Sequence, residues 1–263
     1  IDSSKKIDTG GLHFVQIDEF YPINPSHTNS FHYYVRKYYI DGFGLDPKKA
    51  LLINCEKIGL DADQKIEEVW GDDEVDLSLR YRSPVNLKEE IRKSVIERVD
   101  QWCHEYEEKI QEIGGIGFFL GGIGPDGHIG FNIRGSDPHS TTRLSPINYE
   151  TQAASASDLG GIEVSRKRKV ITIGLSTITS NPDCVAIIIA AGEAKAKIVA
   201  ESICSPLDVT YPASSLQKLT NARFYLTNGA AKQLKQRWIA GVSKQEQLSE
   251  DQIAKIVIDT SIA

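Results

Sequence analysis

The segment Ile116-Gly-Phe-Phe-Leu-Gly-Gly-Ile-Gly-Pro-Asp-Gly-His-Ile-Gly-Phe-Asn-Ile-Arg-Gly-Ser136 constrains this chain more than any other. It opens with an apolar run, Ile116 to Leu120, long enough for a buried strand and too short for a helix. Gly121, Gly122, Gly124 and Gly127 follow, with Asp126 and His128 set among them. Glycine lets the backbone turn through positive φ and leaves N–H groups open to a ligand. In an open α/β sheet, ligands bind beyond the carboxyl ends of the strands. A strand that runs out into such a loop, carrying a carboxylate and an imidazole, therefore reads as the rim of an α/β active site.

A second run, Leu12 to Phe20, reads as one strand and stops at Asp18 and Glu19. These acids either reach the same kind of crevice or cap the next turn. The clearest helix runs from Asn86 to Ile113. Leu87, Ile91, Val95, Val99, Trp102, Tyr106, Ile110 and Ile113 recur at steps of three and four, Asn86 and Glu89 resemble a capping box, and Gly114-Gly115 supplies a stop. Ala50–Ile53, Val170–Leu175, Cys184–Ala190 and Arg223–Thr227 read as further strands. Ser26–Ile40, Gly192 to Cys204, Pro212–Gln217 and Gly229–Trp238 read as helical, and Arg134 to Leu144 as a polar loop. Such alternation predicts an α/β fold, Rossmann-like and doubly wound, with a mostly parallel sheet covered by helices on both faces. No repeat or linker interrupts it, so residues 1–263 are expected to form one domain with a tail at 241–263. The charged stretch at about 61–83 reads as a solvated face.

A chain of 263 residues can bury a core without staples. The net charge of −6 provides no global field for nucleic acid or an anionic membrane, so an anionic ligand must be held by local cations. Cys55, Cys103, Cys184 and Cys204 are scattered, with no C-x-x-C pair and no metal-ligand spacing. No run reaches the length of a membrane span and no charged-then-apolar leader is present, so the expected compartment is the cytoplasm. The glycine loop lacks the Lys-Ser/Thr of a nucleotide loop, and no metal or organic cofactor is expected. The chain begins at Ile1 and has no methionine, from which a natural start upstream of Ile1 is expected.

Gly-Gly-Ile-Gly-Pro-Asp-Gly-His-Ile-Gly-Phe-Asn at 121–132, with Ile17-Asp18-Glu19-Phe20 and His27-Thr-Asn-Ser-Phe31, resembles the glucosamine-6-phosphate deaminase/isomerase family. The resemblance covers roughly Leu12 to Trp238 and makes the charged stretch at 61–83 an insertion. It implies conversion of glucosamine 6-phosphate to fructose 6-phosphate and ammonia. By the same resemblance His128 acts on the ring oxygens, Asp126 orients the imidazole, and Asp18 moves the C2 proton. Glu19, Gly121, Gly122, Gly124, Gly127, Arg143 and Lys195 are expected to contact the sugar phosphate, Lys195 from the pattern Gly192-x-x-Lys195.

Three positions depart from the family pattern. Ile133 stands where a relay glutamate is expected, and Ser157 stands where an arginine usually grips the phosphate. A Thr-Gly-Gly-Thr-Pro-like loop expected ahead of the first strand is not in this sequence, since Thr9-Gly10-Gly11 lies too close to that strand. A sugar-phosphate-binding regulatory domain without turnover and a 6-phosphogluconolactonase-like hydrolase, whose loop also reads Gly-x-Asp-Gly-His, are therefore alternatives. Family precedent is compatible with a homo-oligomer.

Overall fold

The computed structural model describes residues 8–234, so the tail at 241–263 lies outside the described residues and the helix expected over Gly229–Trp238 lies only partly within them. The strands are β1 (Phe14–Val15), β2 (Asp18–Tyr21), β3 (Ala50–Leu51), β4 (Phe118–Gly122), β5 (Arg143–Ser145), β6 (Lys169–Thr172), β7 (Val185–Ala190) and β8 (Arg223–Leu226). The helices are α1 (Phe31–Tyr34), α2 (Asp41–Phe43), α3 (Ile66–Trp70), α4 (Leu87–Glu112), α5 (Tyr149–Leu159), α6 (Ile162–Ser165), α7 (Leu175–Thr179) and α8 (Ala196–Cys204). A wider helical turn, Val35–Ile40, joins α1 to α2.

The parallel ladder β4-β7-β8 has the α/β character that the alternation predicts. β1 and β3 form a short parallel pair. The third ladder, β2-β6-β5, is antiparallel, which the sequence did not suggest. Its outer strand β5 lies at the end of the stretch read as a polar loop. With Leu144 as its one buried apolar side chain, β5 is too short to show a period. The run from Leu12 to Phe20 also divides in two. The buried side chain of Gln16 donates to the carbonyl of Asp18 and accepts the N–H of Ile53, which turns the chain from its partner β3 to its partner β6.

Helix α4 is the brace beneath these ladders. Asn86 caps it by accepting the N–H of Glu89 at 2.9 Å. The Glu89 carboxylate does not close the capping box, because it accepts from Arg82 and from the N–H of Val85. The helix buries Val95, Ile96, Val99, Cys103, Tyr106 and Ile110, while Leu87, Ile91 and Ile113 near its ends are exposed. The Tyr106 hydroxyl meets the carbonyls of Gln16 and Leu51, so one side chain pins β1 and β3 together. The next residue, Glu107, accepts the hydroxyls of Thr142 and Thr177, both at 2.7 Å, tying α4 to β5 and α7. These are buried polar groups with partners supplied, as a water-free interior requires.

The charged stretch at 61–83 is not the solvated face its composition suggests. Ile66, Val69, Trp70, Val75 and Leu79 are all buried in the main hydrophobic cluster. The charges lie on the other side, where Asp73 pairs with Lys88 and Arg92, and Asp76 with Arg82. Charge density hid an apolar face too irregular in spacing to register as a helix. No helix among the described residues is long and apolar enough to cross a membrane. Replacing Trp70 with alanine is expected to lower unfolding stability by about 3–5 kcal/mol, the usual effect of emptying a buried aromatic site. Denaturant unfolding measures it, and a loss under about 0.5 kcal/mol would mark the segment as peripheral.

Candidate active site

Strand β4 extends two residues further than its apolar run. Gly121 and Gly122 lie in register with Ile188 and Ile189 of β7, so they are sheet positions and not part of the loop. The loop proper folds on its own backbone. The N–H of Gly124 donates to the carbonyl of His128 at 2.9 Å, and that of Gly127 to the carbonyl of Gly124 at 3.1 Å. The amides of these two glycines, which are expected to contact the sugar phosphate, are engaged within the loop. Their contribution is space. A Cβ on Gly124 would lie 2.1 Å from the His128 ring, and Gly127 adopts φ +86° with Ile198 3.0 Å from where its Cβ would be.

The same loop docks on the antiparallel ladder. The N–H of Phe131 donates to the Thr172 hydroxyl at 3.1 Å, and the Asn132 side chain donates to the carbonyl of Ile173 at 2.8 Å. Arg143 donates to Asn132 Oδ1, Ser136 Oγ and the carbonyl of Thr141, so it serves first to hold the loop.

On this platform His128 Nδ1 lies 2.5 Å from Asp126 Oδ1. Asp126 is buried, and its Oδ2 accepts the N–H of Arg134 at 3.0 Å and the side-chain amide of Asn148 at 2.6 Å. Burial alone would push its carboxyl up, but these hydrogen bonds and the imidazole outweigh it and hold Asp126 well below the carboxylate range. His128 faces a cavity of about 340 Å³ with Phe20, Ser30, Phe31, Tyr34, Phe131 and Thr151 among its walls. Lys195, at the start of α8, donates to the carbonyl of Ile123 at 2.7 Å. Burial lowers its pKa while the charge of Asp126 works the other way.

The two acids of β2 have opposite fates, because successive side chains of a strand point to opposite faces. Glu19 accepts the Ser30 hydroxyl and the N–H groups of Phe20, Phe31 and His32, closing the start of α1. Its carboxylate, which is expected to contact substrate, has both oxygens engaged within the fold. Asp18 stands in one cross-strand row with Thr172 and Arg143, on one face of the ladder. Its carboxylate has no hydrogen bond among the described residues. Burial, with the charge of Glu19 added, pushes it up to about 8.

The structure thus brings Asp126, His128 and Lys195 around one loop, and sets Asp18 on the ladder against which that loop docks. Asp18 lies in the β2-β6-β5 ladder and His128 follows a strand of the β4-β7-β8 ladder, and Asp18, Arg143 and Lys195 do not line the cavity beside His128. Ser157 is exposed on α5, and Ile133 brings no carboxylate to the pair. Asn148 and Thr151 escaped the sequence reading. Their one signal in the sequence is an N-cap pattern, Asn148-x-x-Thr151, before a helix with little apolar periodicity.

No protein-family model matches the chain. A glucosamine-6-phosphate deaminase from Clostridium perfringens is 32% identical over 201 residues, covering 73% of this chain and 77% of that protein. The chain belongs to the glucosamine-6-phosphate deaminase/isomerase family. A glucosamine-6-phosphate isomerase from Candida albicans is 35% identical over 133 residues, which is 51% of this chain and 54% of that protein. The chain thus spans about half the length of several curated family members it matches. Among solved structures, a monomeric deaminase described as a missing link of the NagB superfamily superposes with TM-score 0.63 at 23% identity, covering 84% of this chain and 74% of that one. A 6-phosphogluconolactonase from Leishmania guyanensis superposes with TM-score 0.55 at 16% identity, covering 84% and 74%. Both superpositions show that the chain shares the Rossmann-like α/β fold of these proteins.

The raised pKa of Asp18 has a measurable consequence. An unfolded chain loses this proton near 3.8 and the folded chain near 8, so raising the pH through that window lowers folded stability. Asp18→Asn removes the effect. Its Tm relative to the parent protein is expected to be unchanged near pH 4 and to rise progressively toward pH 8. A difference that stays flat across this range would contradict the assignment.

Proposed function

We propose that the chain is a cytoplasmic enzyme that converts an amino-sugar phosphate, glucosamine 6-phosphate, to fructose 6-phosphate and ammonia. The observation that carries this reading is the His128–Asp126 pair, 2.5 Å apart at the edge of a cavity. Membership of the deaminase family supports it, and three buried free cysteines fit a reducing compartment.

In this reading His128 passes the proton of the anomeric hydroxyl to the ring oxygen, which opens the sugar to its aldehyde. Asp18 removes the proton on C2 and returns one to C1. A carboxyl held near 8 exchanges protons readily close to neutrality, which suits this step. The nitrogen-bearing C2 becomes an imine, water adds there, and ammonia leaves. Lys195, with two ammonium protons beyond its bond to Ile123 just past the end of β4, provides donors for the phosphate.

One observation favours a second reading, a sugar-phosphate-binding domain without turnover. The outer oxygen of Asp126 faces the Asn148 amide and no relay acid. An ammonia-release assay on glucosamine 6-phosphate separates the two. Turnover is expected, and Lys195→Gln is expected to raise KM about tenfold or more through loss of a charge-assisted bond. Fructose 6-phosphate binding without ammonia release would favour the regulatory domain. Hydrolysis of 6-phosphogluconolactone without ammonia release would favour the lactonase.

A further inference from the structure

Asn148 occupies a position that neither the sequence nor the family resemblance assigns. Its side chain works in two directions at once. Asn148 Oδ1 accepts the N–H of Thr151 at 3.0 Å, which caps α5, so the other end of the amide must be the NH₂ group. That group donates to Asp126 Oδ2 at 2.6 Å. Together with the N–H of Arg134 it surrounds Oδ2 with donors, and an oxygen so placed can only accept. The remaining oxygen, Oδ1, faces His128 Nδ1. With Asp126 an acceptor on both sides, the shared proton belongs to Nδ1, and in the neutral ring the lone pair lies on Nε2.

We propose that Asn148 is a positioning residue for the acid–base pair, fixing Asp126 as an acceptor and thereby fixing the tautomer of His128. It occupies the outer side of Asp126, in a chain that has Ile133 where the family pattern has a relay glutamate. An amide cannot carry a proton away, so the pair is closed outward and His128 exchanges protons only through Nε2. The link also joins α5 to the loop, since Thr151, in the first turn of that helix, brings its hydroxyl to 3.5 Å from His128 Nδ1. Among the described residues, the ionisable groups facing the pair are its own two members from the loop, Lys195 from the start of α8 and, across the cavity, Tyr34 from α1.

Capping and positioning can be separated by two substitutions. Serine and aspartate are both strong N-caps, so a residue that merely starts α5 would tolerate either. Asn148→Ser retains the cap but is too short to reach Asp126. Asn148→Asp places a second carboxylate beside Asp126, and the two can be accommodated only by sharing a proton.

The readouts are Tm, the ring tautomer of His128 by ¹⁵N NMR on histidine-labelled protein, and the pH profile of kcat. In the parent protein the neutral ring is expected as the Nδ1–H tautomer. Asn148→Ser is expected to leave Tm unchanged, mix the tautomers, and lower kcat about tenfold or more with KM little altered. In Asn148→Asp activity is expected at acid pH, where the protonated side chain donates as the amide did, and to fall as the pH rises. Parent-like tautomer and pH profile in both variants would overturn the proposal, and so would loss of folding in both, which would make the role structural. The kinetic arm rests on the deaminase reading. The NMR arm does not, so a protein inactive on glucosamine 6-phosphate still tests the positioning role.

Discussion

The carboxylate of Asp126 is the fixed point of this structure. A buried anion is tolerable only when its oxygens are supplied with donors, and here the donors come from three places in the chain: His128, the backbone at Arg134 and the side chain of Asn148. Each of them constrains an element. The bond to His128 requires the loop to double back, which in turn requires a residue with no side chain at Gly124. The bond to Arg134 closes the far end of the loop, and the bond to Asn148 sets the start of α5. Satisfying one charge thus fixes the outline of the site.

Around that point the fold separates two kinds of acid. Glu19 and Glu107 are saturated with donors and hold elements together, Glu19 at the start of α1 and Glu107 between α4, β5 and α7. Asp18, one residue from Glu19 and on the opposite face of β2, is left without a hydrogen bond and is pushed up to about 8. A partnered carboxylate stabilises but has no proton to move. An unpartnered one near neutrality weakens the fold and can do acid–base work, the usual opposition between stability and function at a site.

Much of this was legible in the sequence, because the relevant features are local. The cap at Asn86, the stripe of α4, the apolar runs of β4, β6 and β7, and the Asp126–His128 loop each declare themselves within a few residues. What was hidden depends on partners far along the chain. The engaged carboxylate of Glu19 needs α1, the antiparallel pairing of β2 needs β6, and the engaged amides of Gly124 and Gly127 need the loop's own return. The buried side of 61–83 needs α4 and was masked by its charges. Asn148 is hidden for the same reason: its cap pattern is local, but its partner is Asp126, 22 residues earlier.

In the proposed function, Asp18 and His128, delivered by different ladders, act on one bound sugar. The most direct measurement is turnover of glucosamine 6-phosphate deuterated at C2 by Asp18→Asn, with binding of fructose 6-phosphate followed in parallel. The account predicts undiminished binding and a rate lower by about two to four orders of magnitude, the range of a lost general base. Turnover at the parent rate, with deuterium leaving C2 as before, would contradict it.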